Sequence, residues 1–273
     1  MTALLCYPRL TTHYPWNPMT GPRENILLQA VDALLDARRT ASPIADLPAD
    51  LLPLDTSEVY YVQDAIALAF APIGGWKIGA ATPDATPLFA PMPAAWIAPS
   101  GSLLTGSRWR YRGIEAEIAF LVGQDLPPRA TPYTREEALA AMASCHPAIE
   151  VLESAFIDPM QATKLAFLAD LQMHGGFLYG PAFDAWRTFD FNTEKVTLMI
   201  DGVVRVERTG SNTSGDLLKL IPWLANEGAV RTGGLRAGQW ITTGSWTGNT
   251  PSTSNSAVNV HFQTAGNVSL LYE

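Results

Sequence analysis

The stretch Gly113–Val122 reads GIEAEIAFLV. Written as a strand it sorts onto two faces, because successive side chains alternate. Ile114, Ala116, Ile118, Phe120 and Val122 form an apolar face. Glu115, Glu117, Ala119 and Leu121 form a face that is acidic at its start and apolar beyond. Two carboxylates side by side at the start of a largely buried strand repel each other and lose hydration. They need a compensating charge, and a divalent cation supplies it most directly. Residues i and i+2 lie roughly 6.5–7 Å apart along a strand. Two glutamate side chains close that gap onto one ion at about 2.1 Å. The competing reading is a strand whose start runs into solvent with two hydrated glutamates, and the alternation alone favours neither.

The chain around this strand has 273 residues, 47% hydrophobic and 16% charged, which describes a folded core rather than a disordered chain. Lys and Arg number 18 against 26 Asp and Glu, a formal charge of −8. That balance argues against nucleic acid or an anionic membrane as main partner. A small anionic substrate then needs local help from a metal or a lysine. Cys6 and Cys145 suggest no disulfide framework. The opening MTALLCYPRL lacks a basic region before its short apolar run, and no run approaches the ~18 apolar residues of a membrane span. The expectation is a cytoplasmic protein.

Upstream, Pro8, Pro15, Pro18 and Pro22 among aromatics mark an irregular leader. Residues 24–39 keep the helical period through Ile26, Leu27, Ala30, Val31, Leu34 and Leu35, with Arg38 and Arg39 at the negative end. A second helix is expected over 57–70, capped by Thr56 or Ser57. Gly74-Gly75-Trp76-Lys77-Ile78-Gly79 reads as a glycine-bounded strand. Its Lys77 is either a snorkelling surface lysine or, given the close packing that glycine permits, a buried functional one. Residues 80–100 hold five prolines and read as a loop.

Downstream, Thr134 caps a short helix to Ala143, and Pro147–Glu153 reads as a strand. Glu150, enclosed by Ala148, Ile149, Val151 and Leu152, needs a partner. Glu153 lies nearer the wet end. Asp170–Gly180 leads through Gly175-Gly176 into a strand, with His174 either facing a pocket or serving as a hydrogen-bonded structural histidine. Residues 195–208 form a hairpin about Asp201-Gly202. Residues 216–227 form a helix interrupted by Pro222 and stopped by Gly228. Residues 238–248 give a strand that breaks into a Gly/Ser/Thr loop, either an ordinary turn or a set of amides and hydroxyls for an anion. A last hairpin over 257–272 turns at Gly266-Asn267.

The order of these pieces is more specific than any one of them. Gly-Trp-Lys-Ile-Gly, Ile-Glu-Ala-Glu-Ile-Ala-Phe, Pro-Ala-Ile-Glu, a Gly-Gly strand, Trp-Leu-Ala-Asn and Ala-Gly-Gln-Trp-Ile-Thr-Thr-Gly-Ser follow in succession. This succession resembles the 2-oxopent-4-enoate hydratase and 4-oxalocrotonate decarboxylase family of the fumarylacetoacetate hydrolase superfamily, from about Glu58 to the C-terminus. The resemblance implies an α+β fold: a mixed β-roll or barrel core of the fumarylacetoacetate hydrolase C-terminal type with a small helical N-terminal lobe. The leader and lobe take residues 1–73 and the catalytic β-roll 74–273.

The resemblance further implies a Mg2+ or Mn2+ site made by Glu115, Glu117 and Glu150. Lys77 lines that site and Thr243 and Ser245 lie by the substrate carboxylate. Glu153, Asp170 and His174 are the candidates for a second acid–base group. The substrate class is a short anionic 2-oxo or 2-hydroxydienoic acid, and the reaction expected first is hydration through an enolate stabilised at C2. Decarboxylation, acylpyruvate-type C–C hydrolysis and a non-catalytic partner role are the alternatives. A homo-oligomer, or a complex with a decarboxylase or hydratase partner, is also implied. Three departures touch the substrate pocket: Glu153-Ser154-Ala155 stands where the family often has Asp-Ser-Arg, Asp170-Leu-Gln-Met-His-Gly175 replaces Asp-Asn-Ala-Ser-Ser-Gly, and the short proline-rich loop after Lys77 shows no legible counterpart of the acid commonly found there.

Overall fold

A computed structural model of the chain describes residues 21–273, so nearly all of the leader expected over 1–22 lies outside the described residues. Helix α1, Pro22–Thr40, starts on a proline in its first turn and ends at Ala41 in the left-handed conformation. It buries Leu27, Ala30, Val31, Leu34 and Leu35 as the periodicity predicts, and Ala37 as well. Helix α2, Thr56–Ala69, is capped by Asp55 rather than by Thr56 or Ser57. The Asp55 carboxylate accepts the Glu58 amide at 2.9 Å, and its extended backbone makes it the cap, with Thr56 and Ser57 already inside the helix.

The strands are β1 (Ile73–Gly79), β2 (Leu88–Pro93), β3 (Ile97–Pro99), β4 (Ser102–Leu104), β5 (Gly113–Val122), β6 (Met142–Leu152) and β7 (His174–Tyr179). They continue as β8 (Lys195–Ile200), β9 (Val203–Thr209), β10 (Trp240–Thr242), β11 (Thr250–Pro251), β12 (Ala257–Phe262) and β13 (Gly266–Tyr272). One sheet runs β2-β1-β10-β5-β6-β7-β3 with β11 on the start of β5, and the other runs β4-β13-β12-β8-β9. Both are mixed: β1 with β10, β3 with β7 and β4 with β13 are parallel and the other pairs antiparallel. The architecture is α+β with two mixed sheets, open rather than closed into a barrel.

The apolar face of β5 buries against the second sheet. Ile114, Ile118 and Phe120 share one core with Val196, Leu198, Val258, Phe262 and Leu270. Each such side chain contributes about 1.5–3 kcal/mol by leaving water. The opposite face of the large sheet is therefore the one that carries the glutamates. Beyond them it closes over a small cluster of Met92, Ala119, Ala148, Phe177 and Trp240.

Four expectations need correction. Residues 80–100 are not a loop throughout, since β2 and β3 lie there. Both are terminal strands of the large sheet, where a proline removes no ladder hydrogen bond, so Pro91, Pro93 and Pro99 are tolerated. The segment after Asp216 winds through short helical turns to Thr232 and is ended by Gly233 at φ 89°, not by Gly228. Gly228 is helical, and glycine fits there because a Cβ would stand 2.6 Å from Leu224 and 3.3 Å from Phe89. The last hairpin turns at 263–265, since Phe262 pairs with Gly266. Helix α3 (Arg135–Ala140) is shorter than expected and β6 begins at Met142, five residues before Pro147. Thr134 does cap α3, in a reciprocal box with Glu137. Asp201 and Gly202, at φ 54° and 74°, form the expected hairpin turn. Among the described residues no helix is long and apolar enough to cross a membrane.

Candidate functional site

Register brings the acids together. Glu115 on β5 and Glu150 on β6 are direct cross-strand partners, and Glu117 sits two residues further along the same face. Like charges placed opposite each other on a sheet destabilise it unless something intervenes. Carboxylate oxygens of Glu115, Glu117 and Glu150 all lie within 4.8 Å of one another. Lys77 comes in from β1, opposite Thr242 of β10. Its Nζ lies 2.8 Å from Glu150 Oε1 and donates to the Gln172 carbonyl at 3.0 Å. β1 approaches β10 closely because Gly75 has no Cβ, which would collide with the Trp240 carbonyl.

Each carboxylate has a distinct shell. Glu117 accepts the Thr242 hydroxyl and, at 3.0 Å, the Gly244 amide. The Ser245 side chain reaches Glu115. Glu150 accepts from Lys77 and from His174 Nδ1 at 2.9 Å, both on Oε1, while Oε2 is buried without a hydrogen-bond partner. A cleft of about 210 Å³ opens over the group, lined by Lys77, the three glutamates, Gln172 and Ser245.

Burial and the neighbouring carboxylates push Glu117 well above the usual carboxylate range, and burial with Glu150 pushes Glu115 up. For Glu150 burial acts upward too, but Lys77 and His174 overcome it and hold the carboxyl low. Burial would lower Lys77, yet Glu150 and Glu115 keep the ammonium above its ordinary value. Burial holds the His174 ring below its usual value. The neutral ring then donates Nδ1–H to Glu150 and leaves Nε2 bare, and that nitrogen is buried and unpartnered.

The backbone before β7 is unusual. Leu171, Gln172 and Met173 stand at φ 50°, 50° and 65°, a left-handed turn without a glycine. Such residues cost of order 1–3 kcal/mol each and persist only when their surroundings hold them. Arg38 of α1 holds this turn from both ends. It donates to the Asp170 carboxylate at 2.5 Å, to the Asp170 carbonyl at 3.0 Å and to the His174 carbonyl at 3.0 Å. The turn presents the Gln172 carbonyl to Lys77.

A family model described as fumarylacetoacetate (FAA) hydrolase C-terminal matches residues 69–268. The chain belongs to that fumarylacetoacetate hydrolase family. No curated protein sequence matches it. Among solved structures, 4-oxalocrotonate decarboxylase from Pseudomonas putida G7, complexed with magnesium and adipate, aligns with a TM-score of 0.80 at 23% identity. That likeness covers 94% of this chain and 100% of the other. Fumarylpyruvate hydrolase from Pseudomonas aeruginosa, in complex with Mn2+ and pyruvate, aligns at 0.52 and 14% identity over 72% of this chain and 88% of its own. A 5-carboxymethyl-2-hydroxymuconate delta-isomerase from Mycobacterium smegmatis aligns at 0.53 and 18% over 74% and 80%. At these identities the likeness shows the fold that this fumarylacetoacetate hydrolase family member shares.

Of the residues singled out in the sequence, Lys77, Glu115, Glu117, Glu150 and Ser245 line the cleft of this family member. His174 stands behind Glu150 and does not line it. Thr243 is turned away, fully buried with its hydroxyl on the Ile118 carbonyl at 2.7 Å. Its neighbour Thr242 is equally buried and does not line the cleft, but its hydroxyl reaches Glu117; it shares the Trp240 face by simple alternation, so period two was the signal for it. Glu153 is not wet: it is 5% exposed, and its oxygens accept the Tyr111 and Arg112 amides at 2.9 and 2.8 Å, outside the cleft. Asp170 is locked by Arg38, Ser154 and the Ala155 amide. Gln172 and Gly244, which touch Lys77 and Glu117, had no local signal of their own.

Proposed function

We propose that the chain is a divalent-metal-dependent lyase of short 2-oxo acids, with Glu115, Glu117 and Glu150 as the metal ligands. The observation that carries the reading is the gathering of three carboxylates within 4.8 Å, one with an unpartnered buried oxygen, beside a single ammonium. An all-oxygen donor set of three negative charges suits Mg2+ or Mn2+ rather than a softer ion. A dication there supplies Lewis-acid polarisation of the substrate's C2 oxygen and carboxylate.

The chain's own groups do the rest. His174 orients Glu150 through a hydrogen bond from Nδ1 to Oε1 and leaves Oε2 without a partner. Thr242 and the Gly244 amide fix Glu117. Lys77, held protonated by Glu150, is the cleft's proton donor toward the substrate carbon skeleton. Ser245 lines the cleft where a substrate carboxylate is to be oriented. Hydration of a 2-hydroxydienoic acid is the first reaction to test. Decarboxylation of an unsaturated 2-oxo diacid is the second, and one observation favours it. Glu153, Asp170 and His174 all lie outside the cleft, so Lys77 and the glutamates are its titratable groups among the described residues. Loss of CO2 needs no base to activate water. Self-association and a partner lyase belong to the same proposal.

The test is product analysis on 2-hydroxydienoates and unsaturated 2-oxo diacids with Mg2+, Mn2+ or chelator, together with metal analysis of Glu115→Gln. Turnover is expected only with metal, yielding a 4-hydroxy-2-oxo acid or CO2, and Glu115→Gln is expected to lose both metal and turnover. A Glu115→Gln protein that binds metal as tightly as the parent and turns over would sink the ligand assignment. Two cleaved acids as products would replace the lyase with a hydrolase.

A further inference from the structure

A second cavity, of about 200 Å³, lies where α1 meets the large sheet, and it shares no lining residue with the carboxylate cleft. Its walls include Arg38, Arg39, Arg108, Arg110, Trp96 and Glu153. Among the described residues Arg38 pairs with Asp170, whereas Arg39, Arg108 and Arg110 form no ion pair within 4.0 Å. Four guanidinium groups thus face two carboxylates, Glu153 and Asp170. Two positive charges are left over in a chain whose formal charge is −8.

The guanidiniums are held in place but not saturated. Arg108 stacks on Trp96 and Trp109 at 4.7 and 4.3 Å and donates one hydrogen bond, to the Gly175 carbonyl. Arg110 uses Nη2 on the Ser154 and Phe156 carbonyls, and Arg39 lies over Phe70 at 5.6 Å. A guanidinium carries five donors, so several remain for a ligand. Burial and the nearby Arg38 push Arg108 down to about 10, the response of a cation with no adequate counter-charge. Residues 1–20, outside the described part, contain no Asp or Glu and so have no side-chain carboxylate to offer.

We propose that this cavity binds a small external oxyanion, a short dicarboxylate or inorganic phosphate, at a site separate from the carboxylate cleft. Planar guanidinium forks match carboxylate and phosphate oxygens, and partial burial strengthens the attraction. The volume equals the liquid share of roughly seven waters at ~30 Å³ each, which admits these anions and excludes a nucleotide.

Calorimetric titration of the full chain in chelator, with succinate in one arm and inorganic phosphate in the other, tests this. Saturable binding of one anion per chain is expected in at least one arm, and the arm that binds identifies the chemistry. Arg39→Gln, an exposed position, and Arg108→Gln are each expected to weaken it at least tenfold, while Glu117→Gln leaves it unchanged. Arg39→Gln alone decides the matter if Arg108→Gln does not fold. Absence of binding in both arms overturns the site. So does binding indifferent to Arg39→Gln, or binding abolished by Glu117→Gln, which would place the anion in the carboxylate cleft.

Discussion

At the scale of the residue, Glu117 shows what the site costs the fold. Its carboxyl is raised well above 4.5 by burial, Glu150 and Glu115, so the fold favours its neutral form. A raised folded pKa contributes stability below the ordinary carboxylate range and loses it as pH climbs through the raised value. In chelator, the parent is therefore expected to lose stability relative to Glu117→Gln as pH rises above 4.5, which denaturant titrations across that range would reveal. At neutral pH without metal, Glu117→Gln is expected to be the more stable protein. With Mg2+ or Mn2+ at a hundredfold excess over Kd, the parent is expected to gain about 2.7 kcal/mol and the variant far less. Parallel pH profiles for the two proteins in chelator would refute the account. The pairing of Glu115 with Glu117 was legible in the alternation of Gly113–Val122. The opposition of Glu115 to Glu150 was not, because β5 and β6 register is set by β-sheet packing and not by either strand alone.

At the scale of the element, the left-handed turn Leu171–Met173 and helix α1 form one device. Arg38 crosses from the last turn of α1 to clamp the residues on both sides of that turn. Local reading accounts for Arg38 by the helix dipole alone. Its larger role depends on a partner 132 residues away. Asp170 is fully buried, so removing its partner strands a charge. Arg38→Ala is expected to destabilise the protein by about 3–5 kcal/mol. Arg38→Lys should recover only part of this, because one ammonium cannot replace a fork that spans a carboxylate and three carbonyls. Chemical denaturation of both variants checks the order. Equal stability of Arg38→Lys and the parent would show that charge alone suffices.

At the scale of the whole molecule, the N-terminal helices have no core of their own. Leu27, Val31, Leu34, Val59 and Ile66 pack in one cluster with Ala90 of β2 and with Phe156, Ala166 and Leu171 beyond β6. A fragment of residues 74–273 would expose that surface and lose Arg38. It is expected to lack a cooperative thermal transition, whereas the full chain is expected to unfold in a single one. A 74–273 fragment that melts sharply and binds Mg2+ would establish the helices as a dispensable attachment.

The sequence by itself determined the alternation of β5, the amphipathic helices, the Asp201-Gly202 turn and the family resemblance, because each rests on period, cap or turn chemistry within a few residues. It also marked Glu115, Glu117 and Glu150 as acids in need of a partner, since carboxylates in apolar runs cannot stay unpaired. Only the tertiary structure decided which groups face the cleft and which stand behind it: Lys77 and Ser245 line its wall, while Thr242 and His174 are buried behind Glu117 and Glu150. It likewise turned Asp170 and Glu153 to the far side and strengthened the prolines' segment into edge strands. The reason is physical. A side chain's face follows from its own strand, but its neighbour across the sheet, and whether its charge meets an arginine or a carboxylate, follow from contacts a hundred residues away.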